Sequence, residues 1–203
     1  MISMAELRSA LRAASMVPVV TIERVEDAAP LAEALRRGGL TSIEVTLRTP
    51  VALQAIEEIK RATPDLLLGA GTILSEGDID ASLKAGADFL VTPGASKTLA
   101  RRLLDVDAPS VPGVATASEA IARFDEGFAL QKFFPASAAG GPAYLKALGG
   151  PLPHIDFMAT GGINTENAKA YLALDNVAAV GGSWVGSASD LEARDWAAIE
   201  AKA

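Results

Sequence analysis

The sequence predicts an α/β protein, a (β/α)₈ barrel preceded by an N-terminal helix, and three observations carry this prediction. Short apolar segments alternate with helical segments about eight times, at a spacing of roughly 20–30 residues. Most of the apolar segments are continuous, which is typical of parallel strands buried on both faces. The length of 203 residues is near the minimum for eight strand–helix units. A doubly wound open sheet gives similar local signals, but the number of repeats favours the barrel.

Apolar runs and turn residues place the elements along the chain. The spacing of Leu7, Leu11 and Ala14 predicts an amphipathic helix over residues 1–14. Ser75 and Asn164 are expected to cap two of the later helices. Strands are expected at 17–22, 42–47, 66–72, 88–92, 110–114 (the weakest), 130–135, 155–160 and 177–180. Helices are expected at 27–37, 50–62, 75–86, 97–104, 118–125, 143–148, 164–173 and from about residue 190.

Composition narrows the possible functions. The 18 basic and 25 acidic residues give a net charge of −7, which argues against binding to nucleic acid or an anionic membrane surface. No cysteine is present, which excludes disulfides and thiolate catalysis. The only histidine, His154, cannot form a histidine-rich metal site, and it lies at the entry of its strand.

The N-terminus lacks a signal-peptide pattern and no apolar run has membrane length, so we expect a cytoplasmic protein. The absence of a linker-like segment predicts one domain over residues 1–203.

The stretch from Leu130 to Pro135 combines an apolar strand with a lysine at its centre, Lys132. An ammonium group inside such a strand is costly unless it is paired or neutralised. Burial favours a neutral amine, and a neutral amine is a nucleophile that can attack a ketone and form a Schiff base. The alternative is a structural role, in which Lys132 points outward and its head reaches solvent between two helices.

A second cluster of candidates lies in and after the strand predicted over residues 42–47. Glu44, Thr46 and Arg48 are spaced by two, so they share one face while the strand persists. If that face is the barrel interior, Glu44 can act as a general acid or base near Lys132. The alternative is a structural ion pair of Glu44 with Lys132 or Arg48. Arg48 at the barrel mouth suits a bidentate contact with a carboxylate, although a single arginine is more often simply solvated.

Further candidates lie where later strands end, which is the catalytic end of a parallel barrel. Thr72 follows Gly69-Ala70-Gly71, where small residues allow a close approach of backbone and ligand, and its hydroxyl could bind the same carboxylate or cap a helix. The last two strands end in glycine pairs, Gly161-Gly162 and Gly181-Gly182, and Ser183 follows the second pair. Loops at these two positions often bind phosphate through backbone N–H groups, although tight turns also use paired glycines.

These groups together suit one kind of substrate. A lysine amine, an acid/base carboxylate, a carboxylate-binding arginine and a phosphate cradle fit a 2-keto acid that carries a distal phosphate. The lysine would form an imine with the C2 ketone, and the protonated imine would stabilise the carbanion left when the C3–C4 bond breaks. The lack of a histidine cluster disfavours a metal-dependent aldolase built on histidine ligands.

The sequence resembles a known family, the class I 2-keto-3-deoxy-6-phosphogluconate (KDPG) aldolases of the Entner–Doudoroff pathway. The resemblance covers nearly the whole chain, from Val17 to Trp184. Its most specific segments are Glu44-Val45-Thr46-Leu47-Arg48-Thr49, Gly69-Ala70-Gly71-Thr72, Lys132-Phe133-Phe134-Pro135-Ala136, Thr160-Gly161-Gly162-Ile163 and Gly181-Gly182-Ser183-Trp184. The family's (β/α)₈ barrel, its usual homotrimer and its independence of cofactor and metal are expected here by resemblance. The chain departs from many relatives at Ala159, where they have proline, and at Ser137-Ala138-Ala139, where they are more polar.

The resemblance also implies a role for each candidate residue. Lys132 would form the Schiff base, and Glu44 would be the general acid/base. The other implied contacts are Arg48 and Thr72 to the pyruvyl carboxylate, Gly161, Gly162 and Ser183 to the phosphate, and Thr160 and Phe134 to the rest of the substrate.

The family's reactions set the expected products and the alternatives. KDPG would give pyruvate and glyceraldehyde 3-phosphate, and 4-hydroxy-2-oxoglutarate (KHG) would give pyruvate and glyoxylate. The closest alternative is the aldolase for the galactonate epimer, which commonly has an apolar residue in place of Thr160. A hydroxyl there could contact the C4 region, so Thr160 favours the gluconate substrate. The alternative from another class is a non-catalytic barrel that senses a sugar phosphate, which would not need both Lys132 and Glu44.

Overall fold

A closed ring of parallel strands forms the centre of the computed structural model, which describes residues 2–203. Within these residues the ring contains eight strands: β1 Met16–Val20, β2 Ser42–Thr46, β3 Leu67–Gly71, β4 Phe89–Val91, β5 in two segments Ser110–Val111 and Gly113–Val114, β6 Leu130–Phe133, β7 Asp156–Thr160 and β8 Val177–Gly182. Each strand lies within a few residues of its predicted position. The predicted (β/α)₈ barrel is therefore confirmed.

The ring closes at the interrupted fifth strand. The first segment of β5 pairs with β4, through Val91 and Val111, and the second pairs with β6, through Gly113 and Lys132. Pro112 separates the segments because it has no N–H to donate, but its carbonyl accepts a hydrogen bond of 2.8 Å from the Lys132 N–H. On the other side of the ring, β1 pairs with both β2 and β8. The weak strand signal at 110–114 thus reflects a real break in the strand.

Helices alternate with the strands and cover the outside of the ring. The described helices are α1 Met4–Ala14, α2 Ala28–Arg37 with a 3₁₀ turn at Val25–Asp27 before it, α3 Ala52–Ala62, α4 Glu76–Lys84, α5 Lys97–Leu104, α6 Ala117–Asp125, α7 Gly141–Gly149, α8 Ala168–Leu172, α9 Ala188–Ala193 and α10 Trp196–Lys202. The predicted cap of α4 is confirmed, since the Ser75 hydroxyl accepts a hydrogen bond from the Asp78 N–H at 3.1 Å.

Two predictions about the last helices were wrong. Asn164 does not cap a helix, because α8 begins at Ala168; its side-chain oxygen instead closes a turn by accepting from the Glu166 and Asn167 N–H groups. The single helix expected from about residue 190 is two helices. Arg194 takes a left-handed conformation that ends α9, and Asp195 caps α10.

The N-terminal helix closes one end of the ring. Leu7 and Leu11 of α1 are fully buried among the side chains that fill the barrel interior, and each contributes about 1.5–3 kcal/mol by burial. Arg8 and Arg12 on the same helix both form ion pairs with Asp156 at the start of β7. The opposite end, where the strands finish, is open. Residues 2–203 contain no helix long and apolar enough to span a membrane.

Candidate active site

Lys132 points into the barrel because β6 alternates between its two faces. Leu130 packs in the interior, while Phe133 stacks on Tyr144 of α7 outside the ring, with ring centroids 5.7 Å apart. Gln131 also faces outward and donates two hydrogen bonds of 2.9 Å to backbone carbonyls near α6. The Lys132 side chain is therefore inward and only 5% exposed. The alternative of an outward, solvated lysine does not hold.

Glu44 meets this lysine across the interior. Its neighbours Ile43 and Val45 pack outward against the helices, so Glu44 points inward from β2 and is fully buried. The Lys132 Nζ donates to the Glu44 Oε1 at 3.0 Å, and Glu44 forms no ion pair with Arg48 in the described chain. The second carboxylate oxygen, Oε2, is buried and has no hydrogen-bond partner in the described part of the protein. Buried polar atoms are usually hydrogen-bonded, so a carboxylate with one unpartnered oxygen is unusual for a purely structural ion pair.

Above this pair, a cavity of about 330 Å³ opens at the carboxyl ends of the strands. Of the predicted site residues, Arg48, Lys132, Phe134, Thr160, Gly161, Gly162 and Ser183 line it. The predicted residues Glu44 and Thr72 do not: Glu44 lies under Lys132, and Thr72 contacts the cavity through Arg48. The second predicted glycine pair, Gly181-Gly182, also lines the cavity. The lining residues that sequence reasoning missed are Val19, Thr21, Ile163, Gly186, Ser187 and Ala188.

Arg48 and Thr72 form a connected pair at the mouth of the cavity. The Arg48 Nε donates to the Thr72 hydroxyl at 3.2 Å, and Arg48 has no carboxylate partner among residues 2–203. Its remaining N–H groups are thus free to hold a substrate carboxylate. Thr72 has a φ of 63°, which is unusual for a β-branched residue and places its hydroxyl beside the guanidinium.

The first glycine pair forms a tight loop after β7. Gly161 and Gly162 have φ values of 102° and 71°, a conformation that favours glycine. A Cβ at position 161 would lie 3.1 Å from the Pro135 Cα, and one at position 162 would lie 2.6 Å from the Ser137 Cβ. This loop therefore packs directly on the loop after β6, and its backbone faces the cavity. The packing accommodates Ser137, one of the departures from the family pattern.

The second glycine pair ends β8 and makes room for two neighbouring side chains. A Cβ at position 181 would lie 2.4 Å from the Thr160 Oγ1, and one at position 182 would lie 1.7 Å from the Trp184 ring. Thr160 lines the cavity, and its buried hydroxyl points towards Gly181 and has no hydrogen-bond partner within the described residues.

Beyond Ser183, the cavity is bordered by the start of α9. Ser187 is the N-cap of this helix, and its hydroxyl bonds the Asp190 Oδ2 at 2.8 Å. Burial raises the pKa of Asp190, but hydrogen bonds from Lys202 and Ser187 outweigh it and leave that pKa below the ordinary value. Because Lys202 lies 2.5 Å from Asp190, this carboxylate is neutralised and does not repel an anion bound nearby. The Ser187–Asp190 spacing is a capping-box signal that could have located this edge of the site.

One aromatic ring, that of Phe134, borders Lys132 in the cavity. The Lys132 Nζ lies 5.5 Å from the centre of the Phe134 ring, so this ring borders the space around the amine. His154 is exposed and stacks on Phe124, away from the cavity. Residues 2–203 contain no group of three or more His, Cys, Asp or Glu side chains arranged to hold a metal ion.

A family profile and three known proteins match this chain over most of its length. The family profile described as aldolase, KDPG and KHG aldolase, matches residues 7–202. The 2-dehydro-3-deoxy-phosphogluconate aldolase of Pseudomonas aeruginosa is 45% identical over 97% of this chain and 89% of that protein. The KHG/KDPG aldolase of Escherichia coli is 40% identical over 93% of this chain and 88% of that one. The crystal structure of KDPG aldolase from Legionella pneumophila, with pyruvate captured as a covalent carbinolamine, has a TM-score of 0.93 and 43% identity, covering 95% of this chain and 94% of that chain.

Proposed function

Since the chain belongs to the KDPG and KHG aldolase family, we propose that it cleaves KDPG to pyruvate and glyceraldehyde 3-phosphate through a Schiff base on Lys132. The predicted family and the lyase class are confirmed by the matching profile and by relatives named as aldolases. One observation carries the choice of residues: the Lys132 amine lies 3.0 Å from a buried carboxylate at the floor of the open cavity.

The reaction needs the amine to lose a proton before it attacks. Glu44 can accept this proton from Nζ through the existing hydrogen bond, which leaves a neutral nucleophile. Nζ then adds to C2 of the substrate to form a carbinolamine, and loss of water gives a protonated imine. Glu44 can return a proton to the departing hydroxyl, either directly or through a water molecule.

Cleavage follows from the imine. The electrons of the C3–C4 bond move to C3 and form an enamine with the protonated imine, while the C4 hydroxyl gives up its proton and becomes the aldehyde. Glu44, which already contacts the Lys132 amine, would accept this proton. Protonation of C3 and hydrolysis of the new imine release pyruvate and restore Lys132.

The rest of the cavity supports binding of the two ends of the substrate. Arg48, oriented by Thr72, would hold the carboxylate on C1. The loop at Gly161 and Gly162, with Ser183 across from it in the cavity lining, would bind the phosphate through backbone N–H groups and a hydroxyl. Thr160 and Phe134, which line the space between these ends, would contact the middle of the substrate and the imine.

The same site would cleave KHG, because KHG keeps the C1 carboxylate, the C2 ketone and the C4 hydroxyl. It carries a carboxylate at C5 in place of the C5 hydroxyl and the phosphorylated C6. The unpartnered Thr160 hydroxyl supports KDPG over its C4 epimer, since it can bond a hydroxyl held in one configuration. Comparing kcat/KM for the two epimers tests this choice. Equal values, or a preference for the galactonate epimer, would contradict it.

A sensor that binds a sugar phosphate without reacting is the alternative from another class. Borohydride treatment in the presence of pyruvate separates the two functions, because only a Schiff base is trapped as a stable secondary amine. The aldolase gains a covalent pyruvate adduct and releases pyruvate from KDPG. A sensor would show neither result.

The assembly, location and pathway are also proposals that rest on the family resemblance. We propose a homotrimer that acts in the cytoplasm, within the Entner–Doudoroff pathway and without a cofactor. Light scattering of the purified protein tests the oligomeric state, and a monomeric or dimeric mass would contradict the trimer.

A further inference from the structure

Thr21 lines the active-site cavity, although neither the apolar pattern of β1 nor the resemblance singled it out. It follows β1 directly, at the carboxyl end of the strand. The pairing of β1 with β2 sets Val19 beside Glu44, so Thr21 lies two residues further towards the open end, beside Thr46. Thr21 is thus about 6–7 Å above the level of the Glu44 backbone, on the side where the distal half of a substrate would extend.

A chain of hydroxyl groups fixes the direction of the Thr21 hydrogen bond. The Thr46 hydroxyl, 1% exposed, lies 3.1 Å from the Val20 carbonyl and 2.8 Å from the Thr21 hydroxyl. A carbonyl can only accept, and a hydroxyl has one hydrogen to donate. Thr46 therefore donates to Val20, and Thr21 donates to Thr46. This arrangement uses both hydrogens and leaves the oxygen of Thr21, a residue that lines the cavity, with lone pairs free to accept a hydrogen bond.

We propose that Thr21 is a specificity-determining residue that accepts a hydrogen bond from the C5 hydroxyl of KDPG. This inference rests on the proposed function, and it follows by elimination among the polar groups beyond C3. The phosphate on C6 is an anion at neutral pH and offers acceptors, which cannot bond to lone pairs. The C4 hydroxyl must pass its proton to a base during cleavage, and Thr21 is no base. The C5 hydroxyl is the donor that remains.

Two variants and three substrates test the proposal. Thr21→Val removes the hydroxyl with little change of shape, and Thr21→Ser keeps it. We expect Thr21→Val to lower kcat/KM for KDPG by about tenfold, because the C5 hydroxyl is left without its acceptor. The same variant should change kcat/KM for KHG by less than about twofold, since C5 of KHG is a carboxylate, which has no hydrogen to donate to Thr21. Thr21→Ser should keep kcat/KM for KDPG within about twofold of the unaltered chain.

The third substrate is the 5-deoxy analogue of KDPG, which lacks the C5 hydroxyl and so cannot donate the proposed hydrogen bond to Thr21. The unaltered chain should cleave it about tenfold less efficiently than KDPG, and Thr21→Val should cause no further loss. If Thr21→Val lowered kcat/KM equally for KDPG, KHG and the 5-deoxy analogue, or did not lower it for KDPG, the role of Thr21 would be overturned. The proposed function would not be affected by either result. Failure of the unaltered chain to form a pyruvate adduct or to cleave KDPG would instead overturn the proposed function. The rate on KHG shows in each variant that the catalytic pair is intact.

Discussion

The carboxylate of Glu44 occupies the space that a side chain on Gly71 would fill. A Cβ at position 71 would lie 2.1 Å from the Glu44 Oε1, the same atom that accepts the hydrogen bond from Lys132 at 3.0 Å. In the pairing of β2 with β3, the backbone of Glu44 lies beside Gly69 and that of Thr46 lies beside Gly71. The Glu44 side chain therefore extends along β3 to reach Gly71. The glycine on β3 therefore determines where the proposed acid/base group of β2 can lie.

Gly71→Ala should consequently impair catalysis. The methyl group would displace the Glu44 carboxylate from Lys132, and we expect kcat to fall by about 10²-fold or more, the usual contribution of a general acid/base group. Gly69→Ala is the matched control, because the atoms nearest to a Cβ there belong to the Phe89 ring, at 2.3 Å, rather than to the Glu44 carboxylate. Both variants overpack the interior and lose about 1–3 kcal/mol of stability. Full kcat in Gly71→Ala would show that the position of Oε1 is not critical.

The buried Lys132–Glu44 pair should reveal itself in stability as well as in activity. Lys132→Met leaves the Glu44 carboxylate buried without a cation, which should lower the free energy of unfolding by about 3–5 kcal/mol. Adding Glu44→Gln removes the unpaired charge and should recover most of that loss. Neither variant should cleave KDPG. Urea unfolding measures the difference, and equal stability of the single and double variants would argue against a charged pair.

Thr72→Gly tests the left-handed residue at the mouth of the site. Glycine adopts a φ of 63° freely, so the substitution relieves backbone strain, but it also increases the backbone entropy of the unfolded chain. These two effects should nearly balance, and the free energy of unfolding should change by less than about 1 kcal/mol. Loss of the hydroxyl removes the support of Arg48, so KM should rise by about tenfold for both KDPG and KHG, which share the C1 carboxylate. Thr72→Ser, which keeps the hydroxyl, serves as the control. A change in KM for only one substrate would contradict the carboxylate assignment.

Ser183→Ala tests the phosphate assignment. Ser183 is exposed within the cavity, so its truncation should alter stability by less than about 0.5 kcal/mol. We expect KM for KDPG to rise by about tenfold, because a hydrogen bond to a charged phosphate oxygen is lost. KM for KHG, which carries no phosphate, should stay unchanged. Equal effects on the two substrates would mean that Ser183 does not bind the phosphate.

Sequence patterns identified the individual groups better than their contacts. A lysine in a short apolar strand and a glutamate spaced by two from an arginine singled out Lys132, Glu44 and Arg48, and the structure places all three in or directly beneath one cavity. That Lys132 and Glu44 meet depends on closure of the ring, since 88 residues separate them and no local spacing encodes which strands face each other. The role of Gly71 was also not predictable, because the pattern suggested close approach of a ligand, whereas the Glu44 carboxylate fills the space.

Other misses have local physical causes. Thr21 lies one residue beyond the end of β1 as the structure bounds it, inside an apolar stretch in which a lone threonine carries no signal. Its hydroxyl chain to Thr46 needs the β1–β2 pairing to exist first. The division of the last helix depends on Arg194 taking a φ of 53°, a conformation that arginine rarely adopts and that sequence patterns assign to glycine or asparagine.

The most direct test of the account is the position of the trapped pyruvate. The protein is reduced with borohydride in the presence of pyruvate, digested, and analysed by mass spectrometry of its peptides. We expect one pyruvate adduct, on the peptide that contains Lys132, and none in the Lys132→Met variant. An adduct on another lysine, such as Lys60 or Lys146, or no adduct at all, would contradict the assignment of Lys132 as the Schiff-base residue.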